Sequence, residues 1–188
     1  MHPVGVNLIG RWSTCPGSPL EGVFPDAADV LVRMSKGAGT PGAWPDVLGL
    51  AVRVPAEPPV DLLLSTVGPF RVPWPRKGWG RGRYDAILPY RLRGRLVWIS
   101  ARVEGDVESS HVALREHARR GFRVLIAVSG WFGAPKPAAL LAMQPSAEEV
   151  DWFDPMRHHH PDLRPVPRLV TAIRERAYAA SRRGREAG

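Results

Sequence analysis

The chain has 188 residues, 44% of them hydrophobic, which predicts one globular domain able to bury most of its apolar surface. Its 20 Pro and 19 Gly imply many turns and favour a β-rich body, and the single Cys15 excludes an internal disulfide framework and a Cys-based zinc site. A formal net charge of +8, nearly all from Arg, suits an anionic partner such as nucleic acid, although Arg replacing Lys on solvated faces accounts for the same charge.

No apolar run approaches the roughly 20 residues needed to span a bilayer. The N-terminal stretch Met1–Gly10 lacks a basic lead and a signal-length apolar core. A cytoplasmic protein with no membrane partner is expected, and a homo-oligomer is compatible with the composition.

In chain order, Val4–Trp12 alternates apolar and other residues as a first strand, and Ser13–Ala28 is a Pro-punctuated loop. Three apolar, β-branched runs follow, Asp29–Ser35, Pro45–Val54 and Val60–Ser65, parted by Gly/Pro turns as consecutive antiparallel strands are. Strand alternation puts Val30, Val32 and Met34 on one face and Leu31, Arg33 and Ser35 on the other. Arg33 and Arg53 each end an apolar strand. A charge there is a rim residue facing water or holds an anion at a barrel mouth. Lys36–Gly42 is rich enough in Gly to expose N–H groups to a phosphate, but it lacks the Gly-Lys-Ser/Thr ending and reads as a strand-to-strand turn.

Gly68–Tyr84 interleaves Arg71, Arg76, Lys77, Arg81 and Arg83 with Phe70, Trp74 and Trp79. Phosphate contacts with base stacking use such residues; packing of both Trp rings over a barrel end is the reading preferred here. Asp85–Tyr90 and Arg95–Val103 read as strands around a hairpin turn at Gly94. Glu108–Arg120 changes to a helical period, with Val112, Ala113, Leu114 and Ala118 inward and Gly121 as its stop. His111 and His117 do not share a helical face, so they form no chelating pair. Phe122–Val128 and Ala138–Met143 make another strand pair, and Ser129-Gly-Trp131 is not a nucleophile elbow. Ser146 with Glu148 and Glu149 suggests a one-turn helix, and His158-His-His160 reads as a solvated loop without a third zinc ligand. Val166–Arg183 predicts a docking helix with Leu169, Ile173 and Ala177 in its stripe.

The fold class expected is α+β: an antiparallel β-barrel of about seven or eight strands, with a short inserted helix and a C-terminal helix. A single domain spans 1–188, with the barrel over about 4–145, a linker at 146–165 and the C-terminal docking helix at 166–183.

Val32-Arg-Met-Ser35, then Pro45-Asp-Val-Leu-Gly-Leu-Ala-Val-Arg-Val54, then Asp61-Leu-Leu-Leu64 resembles the core of the heme-dependent catalases. There an Arg-Phe-Ser strand precedes an Asp-Pro-Arg-Gly-Phe-Ala-Val-Lys-Phe strand and a Trp-Asp-Leu strand. The resemblance is nearest to short bacterial catalase-like proteins. It covers 29–65 closely and, through Arg174, Tyr178 and Ser181 of the last helix, the C-terminal line loosely. It implies a barrel, heme as cofactor and peroxide chemistry. That chemistry needs a distal His, an amide donor and a proximal Tyr phenolate on the iron. His2 is the only His before His111 and precedes the first strand, and Ser65-Thr-Val-Gly68 stands where the amide donor belongs. Arg33 matches the Arg that contacts a heme propionate, and Arg174 with Tyr178 has the ligand spacing without the rest of that motif.

The resemblance therefore implies a shortened, degenerate catalase-like domain binding heme or another small anionic ligand through Arg33 and Tyr178. No catalytic residue is assigned, no separate metal site is expected, and true catalase activity is not. The alternatives are a heme-free barrel serving as a binding or interaction module, and a phosphodiester hydrolase or nucleic-acid binder using its basic loops. The absence of a carboxylate–His cluster opposes two-metal hydrolysis.

Overall fold

The computed structural model describes residues 5–86, 88–131, 133–147 and 153–166. Its strands are β1 (Gly5–Thr14), β2 (Ala27–Lys36), β3 (Leu48–Val54), β4 (Val60–Thr66), β5 (Tyr84–Ala86), β6 (Tyr90–Leu92), β7 (Arg95–Val103), β8 (Phe122–Ser129), β9 (Lys136–Pro145) and β10 (Leu163–Pro165); the helix α1 is His111–Arg120. Every pairing is antiparallel. β1-β2-β3-β4-β5-β7-β8-β9 closes back on β1, an eight-stranded barrel, while β6 and β10 extend from β7 as a side ribbon. The expected barrel and inserted helix are present; the expected C-terminal helix, with Tyr178, lies outside the described residues, as does the turn expected at Glu148–Glu149.

Alternation builds the barrel. Leu8 and Trp12 of β1, Val30, Val32 and Met34 of β2, and Leu48, Leu50, Val52 and Val54 of β3 all face inward and are buried. Eight strands give an interior just wide enough for side chains to fill. β7 occupies Arg95–Val103 as the sequence predicts, whereas the single strand expected at Asp85–Tyr90 is two short ones. Arg93 and Gly94, between β6 and β7, have φ of 45° and 85°; positive φ at both positions is what the tight I′ hairpin requires.

Antiparallel strands bring alternate loops to opposite ends. At one end lie the β2–β3 and β4–β5 loops and α1; at the other, the mouth, lie the β1–β2 loop, the β6–β7 turn and the β8–β9 loop. Ser110 caps α1 by accepting a hydrogen bond from the Ala113 N–H at 3.1 Å, and Gly121, at φ 74°, ends it. Leu114 and Ala118 are buried, but Val112 is 75% exposed, so the inward stripe is narrower than the apolar pattern suggests. Trp79 seals this end. It is fully buried, its Nε1–H donates to the Ser110 carbonyl at 3.0 Å, and its own carbonyl accepts from the Tyr84 hydroxyl at 2.8 Å. Gly78 and Gly80 let it lie flush, since a Cβ at Gly80 would overlap the Gly105 carbonyl oxygen. Of the two Trp rings expected to pack over a barrel end, Trp79 does, while Trp74 is 50% exposed.

The Gly-rich turn after β2 is a strand-to-strand turn, and the N–H groups of Gly37, Ala38 and Thr40 are already used. The Asp46 carboxylate accepts from the N–H groups of Ala38 (2.8 Å) and Thr40 (2.9 Å) and from the Thr40 hydroxyl (3.0 Å), so an internal carboxylate stands where a bound anion would. Buried Lys36 donates from Nζ to the Gly42 and Trp44 carbonyls, at 2.9 and 3.0 Å. Asp46→Ala is expected to cost about 2 kcal/mol through the orphaned donors, read as a lower urea midpoint at unchanged slope.

Candidate functional site

Arg33 projects from the outer wall of β2, opposite Asn7 of β1 and Ala51 of β3, and its Nη1 lies 3.5 Å from the Asn7 Oδ1. It is therefore not at the barrel mouth. A side-chain amide does stand beside it, but on β1, not at Ser65–Gly68. Arg53 is neither a water-facing rim residue nor free for an anion at the mouth. It holds Asp61, directly opposite on β4, by two hydrogen bonds, Nε to Oδ1 at 2.7 Å and Nη2 to Oδ2 at 2.8 Å.

Fully buried Asp61 also takes the His158 Nδ1 at 2.8 Å and the Asp154 N–H at 2.8 Å, and its own N–H donates to the His158 carbonyl at 2.9 Å. Burial raises its pKa, but Arg53, the Asp154 N–H and His158 together outweigh burial and hold the carboxyl below the usual range. The histidine run is accordingly not the solvated loop expected from sequence. His158 is a tie between barrel and C-terminal segment, and the His160 Nδ1 accepts from the Asp162 N–H at 3.1 Å. No group of three or more metal-ligating side chains is assembled among the described residues.

The basic loop between β4 and β5 spends most of its charge internally. Arg71 and Arg83 both reach the fully buried Asp85, at 2.6 and 2.7 Å, Arg81 pairs with Asp106 at 2.7 Å, and Arg76 donates to the Val67 carbonyl at 2.9 Å. Few cations are left there to follow a phosphate backbone.

No tyrosine among the described residues offers heme a phenolate near Arg33. Tyr84 and Tyr90 are sealed in the core, where burial pushes both phenols well above the ordinary tyrosine range, so neither offers a phenolate. The His111 ring lies 5.9 Å from that of Trp79 and feels the charge of Arg33, and its Nε2 is buried without a hydrogen-bond partner among the described residues. His117 contacts the Glu104 carbonyl at 3.1 Å and stacks on Phe122 at 4.7 Å. The remaining implied ligand, Tyr178, and His2 lie outside the described residues.

A different constellation stands at the mouth. A cleft of about 540 Å³ opens between the β6–β7 turn, the ends of β8 and β9 and Pro19, with Leu92, Val97 and Val128 as its buried floor. Arg93, Arg95 and Lys136 ring it, all exposed. Arg93 is pinned, its Nη2 donating to the Glu21 carbonyl at 2.6 Å and its N–H to the Asp162 carbonyl at 2.9 Å. The Glu21 carboxylate is itself taken by the Gly17 N–H at 3.0 Å. The side chains of Arg95 and Lys136 make no hydrogen bond or ion pair with any described residue. Ser129 also lines the cleft, and no base lies within hydrogen-bond reach of it among the described residues.

No protein-family model matches the chain, and no curated protein matches it.

Sequence reasoning missed the cleft because its three cations come from the β6–β7 turn and the start of β9, far apart in the chain. The only signal was Arg93-Gly94-Arg95 at a hairpin turn opposite Lys136-Pro137.

Proposed function

We propose that this chain is a heme-free barrel of the catalase-like type that acts as a binding module and takes a small amphipathic anion at its mouth. The observation that carries the reading is the pair of cations, Arg95 and Lys136, that have no partner among the described residues and stand over the apolar floor of Leu92, Val97 and Val128. A carboxylate or sulfonate set between such cations gains charge-assisted contacts, and its hydrocarbon part gains roughly 25 cal/mol for each Å² of apolar surface removed from water. An enclosed apolar surface with a few convergent polar groups is the usual makeup of a small-molecule site. The catalase-like descent is supported by the sequence resemblance together with the eight-stranded barrel and its inserted helix. Fold alone carries no activity, and the sealed phenols of Tyr84 and Tyr90, neither of which offers the phenolate that catalase chemistry needs, favour binding over that chemistry.

The test is a fluorescence titration with an anilinonaphthalene sulfonate, competed by decanoate. Wild type is expected to show one saturable, competable site. Arg95→Glu with Lys136→Glu should weaken it by about tenfold or more, with an unchanged melting midpoint because both side chains are exposed. Equal affinity in the double variant rejects the mouth as the site.

A further inference from the structure

The capped end of the barrel carries an arrangement that ligand binding at the mouth does not use. Phe70 is 97% exposed, Trp44 69%, Val72 53% and Trp74 50%, and Val112, at the start of α1, joins them. Their three segments are stitched together. Asp46 and Arg76 exchange backbone hydrogen bonds at 3.1 and 2.8 Å, the Ser109 hydroxyl contacts the Ala43 and Trp44 carbonyls at 3.0 and 2.9 Å, and the Ser109 N–H donates to the Lys77 carbonyl at 3.0 Å. The segments that carry the exposed apolar side chains thus lie at one end of the barrel.

The loop is built to hold Phe70 outward. Phe70 and Arg71 both have left-handed backbones, φ 55° and 58°, a conformation that side chains rarely adopt and that surrounding contacts must enforce. Arg71 supplies those contacts. Its guanidinium lies 4.5 Å over the Trp98 ring and 2.6 Å from the buried Asp85, while Pro69, Pro73 and Pro75 stiffen the flanks. Phe70 itself is covered by no described residue.

We propose that this end of the barrel docks peripherally on an anionic lipid surface, with Phe70, Val72, Trp74 and Trp44 entering the headgroup region. Of the five cations from Gly68 to Arg83, three pair with the two carboxylates Asp85 and Asp106, which leaves the loop a net positive charge that complements a negative surface, and the exposed side chain of Lys77 makes no hydrogen bond or ion pair with any described residue. Trp and Phe beside basic residues are the composition of interfacial anchors, and lying on a membrane needs no spanning segment. Single-stranded nucleic acid would use aromatic faces too, but Val72 and Val112 cannot stack on bases, whereas both can enter a headgroup region.

The test is flotation of the full chain with phosphatidylcholine vesicles containing or lacking 30% phosphatidylglycerol, beside anisotropy of a fluorescent 20-mer oligonucleotide. Binding to the anionic vesicles alone is expected. Phe70→Ser should lower the bound fraction at least tenfold with an unchanged melting midpoint, and Lys77→Glu should lower it severalfold. Failure to float with anionic vesicles, flotation unaffected by Phe70→Ser, or a Phe70-dependent preference for the oligonucleotide each overturns the proposal.

Discussion

Asp61→Ala is expected to destabilise the protein by about 3–5 kcal/mol, the range found when one partner of a buried ion pair is removed. The substitution strands Arg53, whose side chain is 24% exposed, and cuts the two bonds by which the Asp61 carboxylate holds the Asp154 N–H and His158. It therefore loosens the 153–166 segment as well as the β3–β4 hairpin. Urea unfolding measures the loss, and limited proteolysis near 155 reports the release. Acid should do in part what the substitution does. Because the folded Asp61 carboxyl titrates below its ordinary value of 3.8, its contribution is present above pH 3.8 and is lost as pH falls below that towards the folded pKa. Asp46, also held below 3.8 because hydrogen bonds from Ala38, Thr40 and Val47 outweigh its burial, acts in the same direction. The Asp61→Ala protein should show a shallower fall in stability between pH 5 and pH 2.5 than wild type.

Trp79→Ala is expected to cost about 3–5 kcal/mol, as large aromatic truncations in cores do. Trp79 is fully buried at the capped end, and its removal takes one of two donors from the Ser110 carbonyl, which keeps the Leu114 N–H, and opens a void beside Tyr84 and His111. The glycines on either side prevent the backbone from shifting far to refill it, since Gly78 and Gly80 already touch the Val107 and Gly105 carbonyls. A fall in melting midpoint with the mouth site still titratable would place the damage at this end alone. Trp79→Phe keeps most of the volume but not the hydrogen bond, and should lose less than half as much.

The barrel itself was legible because its strands obey the alternation that a two-faced sheet imposes: Val30, Val32 and Met34 were read as one face, and all three point inward. β7 was legible to the residue because Gly94 marks the hairpin and an apolar run follows it, although burial of Val97 through Ala101 without a break shows that both faces of this strand are covered. The partition of the charges was not. Arg33, Arg53, Arg71 and Arg83 look alike in sequence, yet Arg53, Arg71 and Arg83 hold buried carboxylates. The Arg53–Asp61 pair had a local signal, since a hairpin turn at 55–59 sets the two residues opposite one another. Asp85 with Arg71 had none, because the loop reaches it through two left-handed residues that no sequence rule places at Phe-Arg. The His158 tie depends on a long return of the chain to β4, and periodicity carries no information about such returns.

A heme-free binding barrel and a heme protein make opposite demands on one titration. Ferric heme is added to the purified full chain, to Arg33→Ala, to Tyr178→Phe and to the Arg95→Glu/Lys136→Glu variant, and the Soret region is followed. The expected result is no shifted Soret band saturating at one equivalent that depends on Arg33 or Tyr178; any weak association should vanish with the mouth cations. A sharp band at one equivalent, lost in Arg33→Ala or Tyr178→Phe and intact in the mouth variant, would contradict the account and make this a heme protein.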